Sequence, residues 1–127
     1  MHLVAIVVLL ALLEFVAFGM LVGSARVRYG VKAPATSGHE VFERHFRVHY
    51  NTMELLVVFV PAIWLFALYV SPQWGAGLGA VYLVGRIVYL RSYVADPSRR
   101  SMGFGMSLLP VLVMLVGALL GAASTLL

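Results

Sequence analysis

Apolar residues run almost unbroken from Leu3 to Gly23, interrupted only by Glu14, long enough to cross ~30 Å of hydrocarbon as a helix. No positive n-region and no small-x-small cleavage site precedes Arg26, so the segment reads as a retained membrane helix rather than a signal peptide. Ser24–Val41 breaks the pattern with Gly30, Pro34, Ser37 and Gly38 and reads as a basic loop carrying Arg26, Arg28 and Lys32. Phe42–Glu54, FERHFRVHYNTME, is a polar helical run that passes without a break into the apolar Leu55–Val70, where Pro61 predicts a kink. A third helix is expected from about Trp74 to Val94, ended by Asp96-Pro97. A fourth, roughly Gly103 to Leu127, carries no charge and a second kink at Pro110. The chain is therefore expected to be one all-α domain over residues 1–127, an integral membrane four-helix bundle with spans at about 3–23, 48–70, 74–94 and 103–126.

Composition strengthens this picture. Hydrophobic residues make up 62% and charged residues 11%, against roughly a quarter charged in an ordinary globular protein. Mean hydropathy is +0.99. The net charge of +4 does not point to nucleic acid, because the nine Lys and Arg residues sit near segment ends and form no basic run. Cysteine is absent, which removes disulfides and thiolate metal sites. The basic connections are Ser24–Val41 and Ala95–Met102, while Ser71–Gln73 is uncharged. The positive-inside rule then places both basic loops in the cytoplasm and both termini outside. The Gly19/Gly23 and Gly117/Gly121 pairs are GxxxG patterns that permit close helix approach.

The chemistry lies in a few polar residues. On a helix Arg47, Asn51 and Glu54 fall at i, i+4 and i+7 and share one face, over a rise of about 10 Å. Cation, amide and carboxylate in that order match the two ends and the backbone of a small zwitterionic peptide. They also fit the solvated start of a helix, with Glu43 and Arg47 as an i, i+4 pair. Tyr82, Arg86, Tyr89 and Tyr93 form a polar-aromatic stripe on the third helix. A charge there demands a partner or water, so Arg86 either pairs with Glu54 or Glu14 or binds an anionic ligand group. Glu14 is expected to meet a buried partner. The tyrosines fit a ligand site or, Tyr93 above all, an interfacial belt. His45 and His49 have zinc-binding spacing but no third ligand, so no metal site is expected. There is no Ser-His-Asp signature, P-loop or dinucleotide fingerprint.

FERHFRVHYNTMELLVVFVPAIW, followed by AVYLVGRIVYLRSYVADPSRRSMGF, resembles the MAPEG family, the membrane-associated proteins in eicosanoid and glutathione metabolism. The resemblance implies a homotrimer of four-helix subunits with glutathione, as co-substrate, held between neighbouring subunits near the cytoplasmic face. It implies glutathione contacts at Arg26, Arg47, His49, Asn51, Glu54, Arg86, Tyr89 and Tyr93. Arg100 corresponds to an arginine that holds the thiolate, with Arg99 adjacent and the register between the two open; Tyr93 would serve beside it. Val27, Leu55 and His49 depart from the leukotriene C4 synthase branch. The expected activity is glutathione transfer, with a glutathione-dependent peroxidase in reach, on lipophilic electrophiles or lipid hydroperoxides drawn from membrane lipid. The family also contains a non-catalytic lipid-binding member, and a transporter or structural bundle would need only the Arg86 ion pair.

Overall fold

A computed structural model describes residues 1–127. It contains α1 (His2–Tyr29), α2 (Glu40–Tyr69), α3 (Pro72–Ala95), a 3₁₀ turn (Pro97–Arg99) and α4 (Ser101–Ser124), with no strand. All four helices are long and apolar enough to cross a membrane. Each boundary has a local cause. α1 stops where Gly30 takes the left-handed conformation at φ 69°, its amide returning to the Arg26 carbonyl. Ser24–Tyr29 is therefore helical, not loop as its basic composition suggested, because nothing in it breaks a helix before Gly30. α2 opens on His39, whose Nδ1 accepts from the Val41 amide at 3.1 Å. α3 opens on Ser71, whose hydroxyl accepts from the Trp74 amide at 3.2 Å, with Pro72 preset in the first turn.

α2 has 30 residues, about 45 Å at 1.5 Å each, against ~30 Å of hydrocarbon. Its polar first turns must extend beyond the apolar slab. α2 and α3 each touch all the other helices, while α1 and α4 share no substantial contact. The core between them holds Val4, Val7, Ala11, Phe59, Ile63, Phe66, Tyr82, Val111 and Met114. The outer face is apolar too: Leu13, Met20, Val57 and Leu119 are exposed. A soluble bundle would be polar on that outer face; an apolar one suits a hydrocarbon solvent.

Small residues set how closely the helices approach. A Cβ at Gly85 of α3 would lie 2.8 Å from the backbone of Met106 and Ser107, and one at Gly103 of α4 would collide with the backbone of Tyr89. α3 and α4 thus meet backbone to backbone where Tyr89 leaves the core. Of the GxxxG residues, Gly117 admits the Phe66 ring and Gly121 admits the Tyr69 carbonyl, whereas Gly23 faces open space. Gly85→Ala is expected to cost ~1–3 kcal/mol by overpacking. Gly77, with nothing within 4 Å, is the control; its alanine variant should gain about 0.5–1 kcal/mol from helix propensity. Thermal unfolding of the two variants in detergent measures both, and equal melting temperatures would refute the packing account.

Candidate functional site

At one end of the bundle the polar residues of three segments converge. The first turns of α2 bring Arg47 and Asn51. The last turns of α3 bring Tyr89 and Tyr93, and the segment after the 3₁₀ turn brings Arg100, Ser101, Phe104 and Gly105. Together they line an open cleft of about 680 Å³. A smaller recess of about 270 Å³ adjoins it, sharing Arg47 and Tyr93 and adding Glu40, Glu43, Arg44 and Pro97.

The wall behind the cleft is organised by Arg86, which is fully buried. Its Nε donates to Ser107 Oγ at 2.9 Å, and its Nη1 donates to Asn51 Oδ1 at 2.8 Å and to Thr52 Oγ1 at 3.3 Å. Its guanidinium carbon lies 4.4 Å from the centre of the Tyr89 ring. Of the two alternatives for Arg86 the ion pair is absent: neither Glu54 nor Glu14 comes within salt-bridge distance of it. Neutral oxygens and an aromatic face take the role of the counter-ion, and these lose less hydration on burial than a carboxylate would. Glu14 likewise lacks the expected partner, its Oε1 being buried and unbonded. Because Asn51 Oδ1 accepts from Arg86, the amide is oriented and its two N–H donors are left for the cleft.

The other walls are held more locally. Tyr89 and Tyr93 stand one turn apart with ring centres 5.5 Å from each other, and Phe104 sits 6.3 Å from Tyr89. Arg100 Nη1 donates to the Pro97 carbonyl at 2.9 Å, which ties this exposed cation to the turn. Asp96 shapes that turn by accepting from the Ser98 amide and hydroxyl at 3.1 and 2.8 Å, bonds that hold its carboxyl below the usual range. Arg99 points to Asp96 instead, at 3.8 Å. Arg44 Nη1 donates to the Val94 carbonyl at 2.9 Å and closes α2 onto the end of α3. The ion pair at the start of α2 is Arg44 with Glu40, not Arg47 with Glu43, which frees Arg47 for the cleft.

The MAPEG family model matches residues 3–120. The chain belongs to the MAPEG family. It is similar to an uncharacterised protein of Synechocystis, 46% identical over 91% of this chain and 85% of the relative. It is also similar to human microsomal glutathione S-transferase 2, 37% identical over 80% of this chain and 70% of that protein. Rat leukotriene C4 synthase is 34% identical over 77% of this chain and 65% of its own length. With four apolar helices and this membership, the chain is an integral membrane protein.

Within this MAPEG chain, Arg47, Asn51, Tyr89, Tyr93 and Arg100 share the cleft. The other residues singled out from the sequence lie elsewhere. Arg86 stands behind the wall and acts through Asn51. Arg26 donates to the Ala35 carbonyl at 2.8 Å and lies 4.7 Å over the Phe42 ring, bracing the first loop. His49 stacks on Phe15 of α1 with ring centres 4.4 Å apart, and Glu54 is exposed outside the cleft. His45 and His49 belong to no group of three metal-ligating side chains. Ser101, Phe104, Gly105 and Ser107 went unread in the sequence. Ser107 alone left a signal there, as the one hydroxyl between Gly103 and Ala123. Ser107→Ala leaves the buried Nε without a partner and should cost ~2 kcal/mol in detergent melting; Ser98→Ala, in the exposed turn, serves as the comparison and should cost less.

Proposed function

We propose that this chain is a membrane glutathione transferase in which the cleft binds glutathione and activates its thiol. The observation that carries the reading is the meeting of Arg47, Asn51, Tyr89, Tyr93 and Arg100 around one cleft in a MAPEG chain similar to a microsomal glutathione S-transferase. Glutathione is a tripeptide with two carboxylates, an ammonium and a thiol. Arg47 supplies a cation for a carboxylate, and the Asn51 amide supplies donors for backbone carbonyls. Tyr89 forms the floor.

Arg100 and Tyr93 carry the chemistry. A free thiol has a pKa of ~8.5, so at neutral pH little of it is the reactive thiolate. The Arg100 guanidinium at hydrogen-bond distance, with the Tyr93 hydroxyl as a second donor, lowers that by a unit or more in a partly dry site. The thiolate sulfur then forms a bond to an electrophilic carbon. The electron pair of the broken bond leaves with the departing group, or takes a proton where that group is an alkoxide. The acceptor has a ready approach from the lipid. A groove of about 480 Å³, lined by Leu78, Met106, Leu109 and Val113 among others, shares Ser101 and Gly105 with the cleft. An apolar electrophile concentrated in the bilayer reaches the sulfur along it.

In the homotrimer that the family resemblance implies, with glutathione between neighbouring subunits, Arg26, His49 and Glu54 supply the remaining contacts from outside this chain's own cleft. The cleft faces the cytoplasm, where the basic Ser24–Val41 and Ala95–Met102 segments are retained, and both termini lie on the far side.

Glutathione titrated into the detergent-solubilised protein at neutral pH should give a saturable thiolate absorbance. Arg100→Ala should abolish that signal while glutathione still raises the melting temperature, and Arg99→Ala should keep it. Asn51→Ala should weaken binding by about tenfold, the equivalent of one or two hydrogen bonds. Thermal stabilisation without thiolate in the unaltered protein would mark a non-catalytic binder. No binding at millimolar glutathione would overturn the transferase reading.

A further inference from the structure

Arg86 has one group that the cleft wall does not use. Its Nη2 is buried without a hydrogen-bond partner, as are the Tyr82 hydroxyl and Glu14 Oε1. Arg86 and Tyr82 are both fully buried. These atoms lie at one level of the bundle. α1 packs Val7 against Gly79 of α3 and places Phe18 in one cluster with Tyr89, so the two helices run side by side in the same direction. Between those contacts, seven residues on from Val7 and from Gly79 respectively, Glu14 falls level with Arg86. Tyr82 is one turn from Arg86 on α3. No pair among the three is directly bonded.

Buried polar atoms almost always find partners, and each one left bare costs on the order of 1–3 kcal/mol. A guanidinium N–H that donates, a carboxylate oxygen that accepts and a phenol that does either are the two to four partners an internal water requires. An anion is disfavoured by the carboxylate, and a metal cation by the guanidinium.

We propose that Glu14, Tyr82 and Arg86 enclose internal water in the bundle core, and that this water fixes the guanidinium whose other face orients Asn51. Glu14 is then a positioning residue. It touches no cleft atom, yet through water and Arg86 it sets which way the Asn51 amide points. The chain of contacts crosses three helices, from Glu14 on α1 through Arg86 on α3 to Asn51 on α2.

The test is infrared difference spectroscopy of the detergent-solubilised protein in ordinary and oxygen-18 water, where a strongly bonded internal water shows an isotope-shifted O–H stretch. Tyr82→Phe removes only the hydroxyl and keeps the ring that stacks on Phe59 at 4.0 Å, so it should fold and lose most of that band. Glu14→Leu should lose it too, and Glu14→Gln, which still bonds to water, should retain it. A band unchanged in both Tyr82→Phe and Glu14→Leu would overturn the proposal. The positioning role rests on the glutathione reading and is measured separately. Glu14→Leu should weaken glutathione binding about fivefold, the equivalent of one hydrogen bond, with Glu14→Gln restoring it. Loss of the band with unchanged affinity would remove the positioning role and leave the water. Absence of glutathione binding in every form would remove the glutathione reading alone.

Discussion

A guanidinium buried in an apolar bundle is the constraint on which the rest of this structure depends. An unpaired charge in a bilayer costs several kcal/mol at least, so Arg86 has to be surrounded by acceptors wherever the helices put it. The fold supplies them to Nε, Nη1 and the guanidinium face: Ser107 from α4, Asn51 and Thr52 from α2, and the Tyr89 ring from its own helix. Satisfying it ties three helices to one another at a single level. No opposite charge bonds to Arg86 directly; on the cleft side it is held by neutral oxygens and an aromatic face.

The same constraint divides the labour between two kinds of arginine. Arg86 is buried and does not line the cleft; it turns Asn51 into an oriented donor. Arg47 and Arg100 are exposed at the cleft and reach it from a helix start and a turn. Arg100 is held by a single bond to the Pro97 carbonyl, which leaves its other donors for a ligand. Rigidity lies behind the site and freedom at its mouth. That arrangement suits the proposed binding of a flexible anionic peptide and the positioning of its sulfur.

Close backbone approach makes the arrangement possible. Gly85 lies beside Arg86, and its missing side chain lets the Met106–Ser107 backbone come near enough for Ser107 to reach Nε. Gly103 does the same for Tyr89, and the Ser107 hydroxyl also donates to the Gly103 carbonyl at 2.7 Å. The α3–α4 seam is therefore both the tightest packing in the bundle and the support of the site. The apolar groove that meets the cleft at Ser101 and Gly105 opens along this same seam.

Much of this was legible from residue order. The four helices, their membrane setting and the family follow from apolar run lengths, breakers and a polar signature that is improbable in so hydrophobic a chain, because each is a property of local sequence. The periodicity of α2 and α3 put Arg47 with Asn51, and Arg86 with Tyr89 and Tyr93, because helical faces are set by spacing alone. Contacts between helices were another matter. That Arg86 bonds to neutral oxygens rather than to Glu54 or Glu14 was decided by the rotation of each helix about its axis. That Arg100 and not Arg99 lines the cleft was decided by a 3₁₀ turn built on Asp96. That Phe104 and Gly105 complete the cleft was decided by how closely α4 lies on α3. Spacing along a chain fixes faces; only packing, which depends on every side chain at the seam together, decides which faces meet.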